Sequence, residues 1–268
     1  MPRARYAGPM TQLRITTRLD YHFPQPSDCL LQVEVAHGPG QRIVSESLST
    51  TPVDDFRRVP AESGLGTRAW FGAEGSWQAT YEAEVEVTRP GVDLAALPAT
   101  PSRLLPGDAT SYLMPSRYCQ SDVFLPFMAS EFADHRGGAL AEAIRAWVHE
   151  SMSYVSGTSD ATTTAADSFM ARQGVCRDYA HVVIAMARAG GIPARMASVY
   201  APDVDPPDLH AVAELWLDGL WRLVDATGMA DPSEMAVIGV GRDAAEISFM
   251  TVMGAAELRS QEVEVVRA

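Results

Sequence analysis

The chain has 268 residues, of which 47% are hydrophobic and 21% charged, with a formal net charge of −13. That is the composition of a water-soluble globular protein with room for one large domain or two ordinary ones, and no apolar run approaches the roughly 18–20 residues of a membrane-spanning helix. All 21 basic residues are arginines, scattered rather than gathered in a stripe, which argues against nucleic acid or an anionic membrane as partner and, with no lysine present, against Schiff-base chemistry.

Residues 1–9 read as a loose tail, charged but without the apolar stretch of a secretory signal, so a cytoplasmic location is expected. Residues 10–88 read as a β-rich N-terminal domain. Leu13, Ile15, Thr17 and Leu19 take alternate positions in Gln12 to Asp20. Leu31, Val33 and Val35 alternate with Gln32, Glu34 and Ala36, and Glu82, Glu84 and Glu86 fall between apolar residues in Tyr81 to Val87. Period-two alternation predicts half-buried strands, and several short strands without helical signals predict a small sandwich. Cys29 is expected to be an ordinary core or edge thiol.

Residues 89–126 carry Pro90, Pro98, Pro101, Pro106, Pro115 and Pro126, which predicts an extended linker packed between two domains. Cys119 lies in this segment. The three cysteines, Cys29, Cys119 and Cys176, are odd in number and widely spaced, with no CxxC pair, so neither a disulfide framework nor structural zinc is expected.

Residues 127–268 read as the second domain. Ala133 to Ser151 turns helical, with Leu140, Ile144, Trp147 and Val148 on one face. A polar loop, Thr158 to Thr164, leads to a short helix at Ala165 to Arg172. A long apolar helix then runs from Cys176 to Ala189, stopped by Gly190-Gly191 with Pro193 beyond. A strand is expected at Ala194 to Tyr200. Residues 201–208 hold three prolines and three aspartates; Asp203, Asp205 and Asp208 lack the glycine and terminal glutamate of a calcium loop, so this is read as a solvated loop. His210 to Leu217 and Leu220 to Asp225 flank Asp218-Gly219, a strong hairpin signal. Further strands are expected at Ile247 to Val252 and Val263 to Val266.

The chemistry gathers at Cys176, His210 and Asp225. Cys176 opens a helix, where the positive end of the dipole favours a thiolate. A two-residue turn at Asp218-Gly219 sets Leu217 opposite Leu220 and Asp225 opposite Val212. His210 and Val212 point the same way, so His210 and Asp225 share a face as diagonal neighbours, roughly 7–8 Å apart at Cβ. A one-residue slip would separate them. Cys176 then suits the role of nucleophile, His210 that of proton carrier, and Asp225 that of the group orienting the imidazole. Amides at the helix start are natural oxyanion donors, and a second donor is expected from Tyr154 or a tryptophan. Alone, a cysteine before an apolar helix or a histidine on a strand reads as ordinary packing; it is the three in register that point to catalysis. His181 lies about 140° round the helix from Cys176 and reads as a packing residue, and Asp178 as a first-turn carboxylate serving the helix dipole.

At these residues the chain resembles the bacterial transglutaminase-like superfamily. The nucleophile motif stands as Gly174-Val175-Cys176-Arg177-Asp178-Tyr179-Ala180-His181, followed by Gly191-Ile192-Pro193-Ala194-Arg195, His210-Ala211-Val212-Ala213-Glu214 and Asp225-Ala226-Thr227. Val212 stands where the family has Trp, and Ala226 where it has Pro; the first is expected to reshape the acyl pocket. The resemblance implies an α+β fold, in which a β-sandwich-like N-terminal domain precedes a papain-like core whose cysteine helix packs on an antiparallel sheet bearing His and Asp. It implies amide chemistry through a thioester acyl-enzyme, with no metal or organic cofactor, on a peptide or protein substrate. Transfer to water would make a cysteine protease or amidase, and transfer to an amine a true transglutaminase. A silent peptide-binding scaffold is the reading from a different class.

Overall fold

The alternating segments fold into long antiparallel strands. The structure, a computed structural model, describes residues 10–268; the tail expected at residues 1–9 lies outside the described residues. In chain order the β-rich part contains β1 (Thr11–Leu31), β2 (Gln41–Thr50), β3 (Asp54–Pro60) and β4 (Thr67–Val87). Leu13, Ile15, Leu19 and Phe23 of β1 and Trp77, Tyr81 and Val85 of β4 turn to one face and are buried there. The strand expected at Gln12 to Asp20 and the alternation beginning at Leu31 are not two separate strands: β1 runs unbroken to Leu31, and residues 32–35 leave the sheet. Pro24 and Pro26 do not end the strand, because they fall where the ladder with β4 slips between Phe23 and Ser27. A proline in such an irregularity forfeits no ladder hydrogen bond.

The proline-rich segment 89–126 is a chain of short turns rather than an extended linker. Among them are α1 (Gly107–Thr110) and single 3-10 turns at Leu94–Ala96, Ser102–Leu104, Ser111–Leu113 and Ser121–Phe124. Helices α2 (Leu125–Glu131) and α3 (Gly137–Ser151) follow, then β5 (Ser153–Tyr154), α4 (Ala165–Ala171), β6 (Gln173–Gly174) and α5 (Cys176–Ala189). The linker packs on α3, where Gly138 N–H donates to the Leu97 carbonyl at 2.8 Å. The chain closes with β7 (Ala194–Tyr200), β8 (His210–Leu217), β9 (Leu220–Val224), β10 (Ala236–Gly241), α6 (Ala244–Ile247), β11 (Met250–Met253) and β12 (Glu257–Arg267). No helix among the described residues is long and apolar enough to cross a membrane.

Two main sheets result. The second, in order β10-β7-β8-β9, is antiparallel. Helix α5 lies on it, with Val183, Ile184 and Met186 packed against Ala194, Met196, Ala213 and Leu215, all in one cluster with Ile144 and Val148 of α3. Each fully buried aliphatic side chain of this kind contributes roughly 1.5–3 kcal/mol. Helix α5 stops at Gly191, whose φ of 79° is left-handed, so that Ile192 N–H reaches back to the Ala187 carbonyl at 2.9 Å.

The first sheet has β1 and β4 at its centre, with β2 and β3 on the outer side of β4. On the outer side of β1 it takes β11 and β12. Residues 250–267, expected within the unit 127–268, therefore complete the sheet of residues 10–88. The physical reason is that β1 spans 21 residues and offers ladder groups on both edges, and β11 and β12 satisfy the edge that β4 does not. The segment beginning at Ile247 opens as the end of α6, and its strand is β11. The buried face of the first sheet closes on the second through Tyr200 of β7 and Ala236 and Ile238 of β10. Thr17 Oγ1 donates to the Tyr200 hydroxyl at 2.9 Å, which donates to the Val33 carbonyl at 2.8 Å. The whole is α+β, with a helix bearing Cys176 on the antiparallel sheet that carries His210.

Candidate active site

Cys176 is the first residue of α5 and is partly exposed, whereas Cys29 and Cys119 are buried. The turn into α5 is tightly built. Asp178, fully buried, accepts the Val175 N–H at 2.8 Å. A Cβ on Gly174 would sit 2.5 Å from the Asp178 Cβ, so only glycine fits there. Asp178 thus does more than complement the helix dipole: it closes the turn that delivers the thiol. Burial pushes the Cys29 thiol up to about 11, helped by Asp28, and pushes Cys119 higher still. Both remain protonated thiols through the ordinary pH range.

The hairpin register is the one expected from the Asp218-Gly219 turn, with Leu217 opposite Leu220 and Ala213 opposite Val224. Asp218 and Gly219 both take positive φ, 53° and 71°, as a tight primed turn requires. Asp225 follows the last paired residue of β9. His210 Nε2 donates to Asp225 Oδ2 at 3.0 Å, with both groups buried. Nδ1, also buried, is left without a partner of normal geometry and is the nitrogen available to Cys176. Burial alone would lower the His210 pKa. The hydrogen bond to Asp225, and then the interaction with Cys176, outweigh it and raise the imidazole to about 10. The structure therefore brings Cys176, His210 and Asp225 into one group with His210 in the middle.

Asp225 is held from several sides. Oδ1 accepts from Thr227 N–H at 2.8 Å and Thr227 Oγ1 at 2.7 Å, and Oδ2 also accepts from Ala230 N–H at 3.3 Å. Burial opposes its charge, but the bonds from His210 and Thr227 hold the carboxyl below its ordinary range. One residue on, the Ala226 carbonyl meets His149 Nδ1 of α3 at 3.0 Å. Thr227 was expected only as part of a motif. Its task was legible in the spacing, since a Thr two residues after an Asp commonly closes an Asx-type turn on that carboxylate.

Tyr154 stands beside Cys176. The two-residue strands β5 and β6 pair in parallel, Tyr154 beside Gly174, just ahead of Cys176. Burial, then the influence of Cys176, push the Tyr154 phenol up to about 12, and its oxygen lies within reach of the Cys176 backbone N–H. Four of the five tryptophans pack elsewhere. Trp77 stacks on Phe71 in the first sheet, Trp147 on Phe169, and Trp216 meets Trp221 on the hairpin. Val212 is buried among Ala197, Val199 and Leu223. His181 is fully buried, its ring stacked on Tyr118 and its Nε2 accepting the Ala244 N–H at 3.2 Å. No cluster of three or more potential metal-ligating side chains occurs among the described residues.

Residues 128–226 match the model of the transglutaminase-like superfamily. The chain is similar to a solved structure from Cytophaga hutchinsonii described as a candidate cysteine protease, at 31% identity over 96% of this chain and 91% of that one, with a TM-score of 0.91. It is 27% identical over 146 residues to an uncharacterized protein of Mycobacterium leprae, covering 51% of this chain and 52% of that protein. An uncharacterized protein of Mycobacterium tuberculosis is 29% identical over 146 residues, covering 47% of this chain and 46% of its own. The chain spans about half the length of the curated relatives it matches.

Proposed function

The chain belongs to the transglutaminase-like superfamily, and from that premise we propose that it is a thiol-dependent hydrolase of peptide or side-chain amides, acting through a thioester at Cys176. The observation that carries the proposal is the placing of one imidazole, His210, between a buried carboxylate at 3.0 Å and the thiol that opens α5. His210, its imidazole raised to about 10, takes the Cys176 proton at Nδ1 and leaves the sulfur as the attacking group.

The Cys176 thiolate attacks the amide carbon, forming the C–S bond and moving the carbonyl pair onto oxygen. The Cys176 N–H and the Tyr154 hydroxyl donate to that oxyanion; one such donor is typically worth roughly 2.7–4 kcal/mol in the transition state. Tyr154 is suited to donate because its raised pKa keeps the phenol protonated. As the intermediate collapses the C–N bond breaks, and His210 Nδ1 passes its proton to the departing amine. The neutral imidazole then takes a proton from water, whose oxygen attacks the thioester and releases the acid and the thiol. Asp225 holds the ring in the tautomer with Nε2 protonated throughout.

The deciding experiment incubates the protein with a library of glutamine-containing peptides, with and without a primary amine, and reads masses against a Cys176→Ala control. Backbone cleavage or deamidation supports hydrolysis, and amine incorporation would assign acyl transfer instead. No change beyond the control would make the fold a peptide-binding scaffold.

A further inference from the structure

Asp208 ends the 201–208 loop two residues before His210. Its Oδ1 accepts the Leu209 N–H at 2.7 Å and the side-chain amide of Gln261 on β12, so the carboxylate is fixed between the hairpin and the last strand. It lies two residues from His210 along the chain, its charge is felt at the Tyr154 phenol, and that of His210 is felt at Asp208. On its other side lies a cavity of about 340 Å³, between the loop and β12. Ala201, Val204, Pro207, Val263 and Val265 give it apolar walls, and the exposed carboxylates of Asp203, Asp208 and Glu264 line it as well.

Two features of this cavity are unmatched. Among the described residues neither Asp208 nor Glu264 has a cationic partner. Arg267, on the same strand as Glu264, is already paired with Asp203 and Glu234. Among the described residues strand β12 pairs only with β1, and none of them covers the backbone groups of its outer edge beside the cavity. Apolar walls interspersed with carboxylates suit a long aliphatic stem carrying a positive head. An open strand edge suits an extended peptide backbone.

On the thiol-amidase reading of the site, we infer that this cavity is a subsite for an arginine or lysine side chain of an extended peptide substrate, and that Asp208 selects it. The substrate backbone runs along the outer edge of β12 toward Cys176, and the cationic head meets Asp208, with Glu264 adding to the attraction. A glutamate at the same substrate position meets two like charges and is rejected.

The test uses peptidyl vinyl sulfones that differ only in carrying Arg, norleucine or Glu at one of the positions before the electrophile. Labelling of Cys176 is followed by intact mass, and each rate is divided by the same variant's iodoacetamide rate. The wild-type protein is expected to prefer Arg over Glu by about tenfold or more at one position, and the preference should shrink with added salt, as an electrostatic selection does. In Asp208→Asn, which keeps the acceptor for Leu209 and Gln261, the preference is expected to fall to about twofold, and Glu264→Gln should lower it in part. A wild-type protein with no Arg preference at any position, or a preference that survives Asp208→Asn, overturns the subsite while leaving the nucleophile intact. Failure of iodoacetamide to select Cys176 over Cys29 and Cys119 removes the nucleophile itself, and the subsite with it.

Discussion

His210 donates Nε2 to Asp225 at 3.0 Å, and Asp225 in turn receives the N–H and hydroxyl of Thr227 and the N–H of Ala230. The imidazole cannot turn without breaking that set. Its orientation is what leaves Nδ1 for Cys176. The pH behaviour follows from the same bonds: the His210 pKa is raised from 6.5 to about 10, with Asp225 and Cys176 overcoming burial. Because the folded value lies above the unfolded one, the stability this group contributes is fully present below pH 6.5 and is lost as the pH rises through about 10. Peptide turnover should show a basic limb near that upper value. Asp225→Asn should move the limb toward 6.5 and cut kcat roughly 10²–10⁴-fold. An unshifted limb with wild-type kcat would remove Asp225 from the mechanism.

Thr227→Val deletes one of the two donors to Asp225 Oδ1 and leaves the other, the backbone N–H. Losing a hydrogen bond to a charged group costs about 1.5–3 kcal/mol. The consequence should appear in the chemistry as well as in Tm, because the carboxylate that aligns His210 is then held less firmly. We expect kcat to fall about tenfold, with the basic limb shifting downward and Thr227→Ser restoring both. A Tm loss with an unchanged pH profile would mark Thr227 as structural only.

The hairpin that carries this pair was legible because Asp218-Gly219 dictates a two-residue turn, and register then follows by counting. The helix bearing Cys176 was legible from its apolar period and its Gly190-Gly191 stop. What was not legible is non-local. Pro24 and Pro26 resemble a strand break, and only the slipped ladder with β4 shows that they sit in a bulge. Nothing in the pattern of residues 257–267 says that they return more than two hundred residues to pair with β1. The burial of Asp178 depends on the Gly174 turn folding over it, and the approach of Asp208 to the site depends on Gln261 of that returning strand.

Tyr154→Phe removes a hydroxyl and leaves the ring that lies 6.1 Å from Tyr179. An oxyanion donor lost in this way lowers kcat by about 10²-fold or more with little change in KM. Iodoacetamide labelling of Cys176, which builds no oxyanion, should remain faster than that of Cys29 or Cys119. Wild-type kcat in the Phe variant would assign the second donor elsewhere.

His181 responds to pH in the opposite sense to His210. Burial, only partly offset by Asp243 and reinforced by Arg177 and Arg188, lowers its pKa from 6.5 to about 3. The unfolded chain therefore binds the proton first, and stability present above pH 6.5 is lost as the pH falls toward 3. Tm measured across that window should decline. His181→Gln, whose side-chain oxygen can still accept from Ala244 N–H, should flatten the decline while lowering Tm at neutral pH through the lost stacking on Tyr118. An equally steep acid slope in the variant would place its origin in other groups.

Gly174→Ala tests how closely the nucleophile depends on the turn beneath it. The new Cβ would lie 2.5 Å from the Asp178 Cβ and 2.7 Å from its Oδ2, the oxygen that accepts Val175 N–H. Asp178 is fully buried and cannot swing into solvent, so the strain must pass into the turn or into the start of α5. Overpacking of this kind costs about 1–3 kcal/mol, and a displacement of about 1 Å at a reacting atom can cost about 10²-fold in rate. The variant is thus expected to stay folded with a lowered Tm, and to lose far more of its peptide turnover than of its stability. Thermal unfolding and Cys176 labelling, measured on the same sample, separate the two effects. Turnover that falls only in proportion to the folded fraction would show that Asp178 supports the fold without setting the position of the thiol.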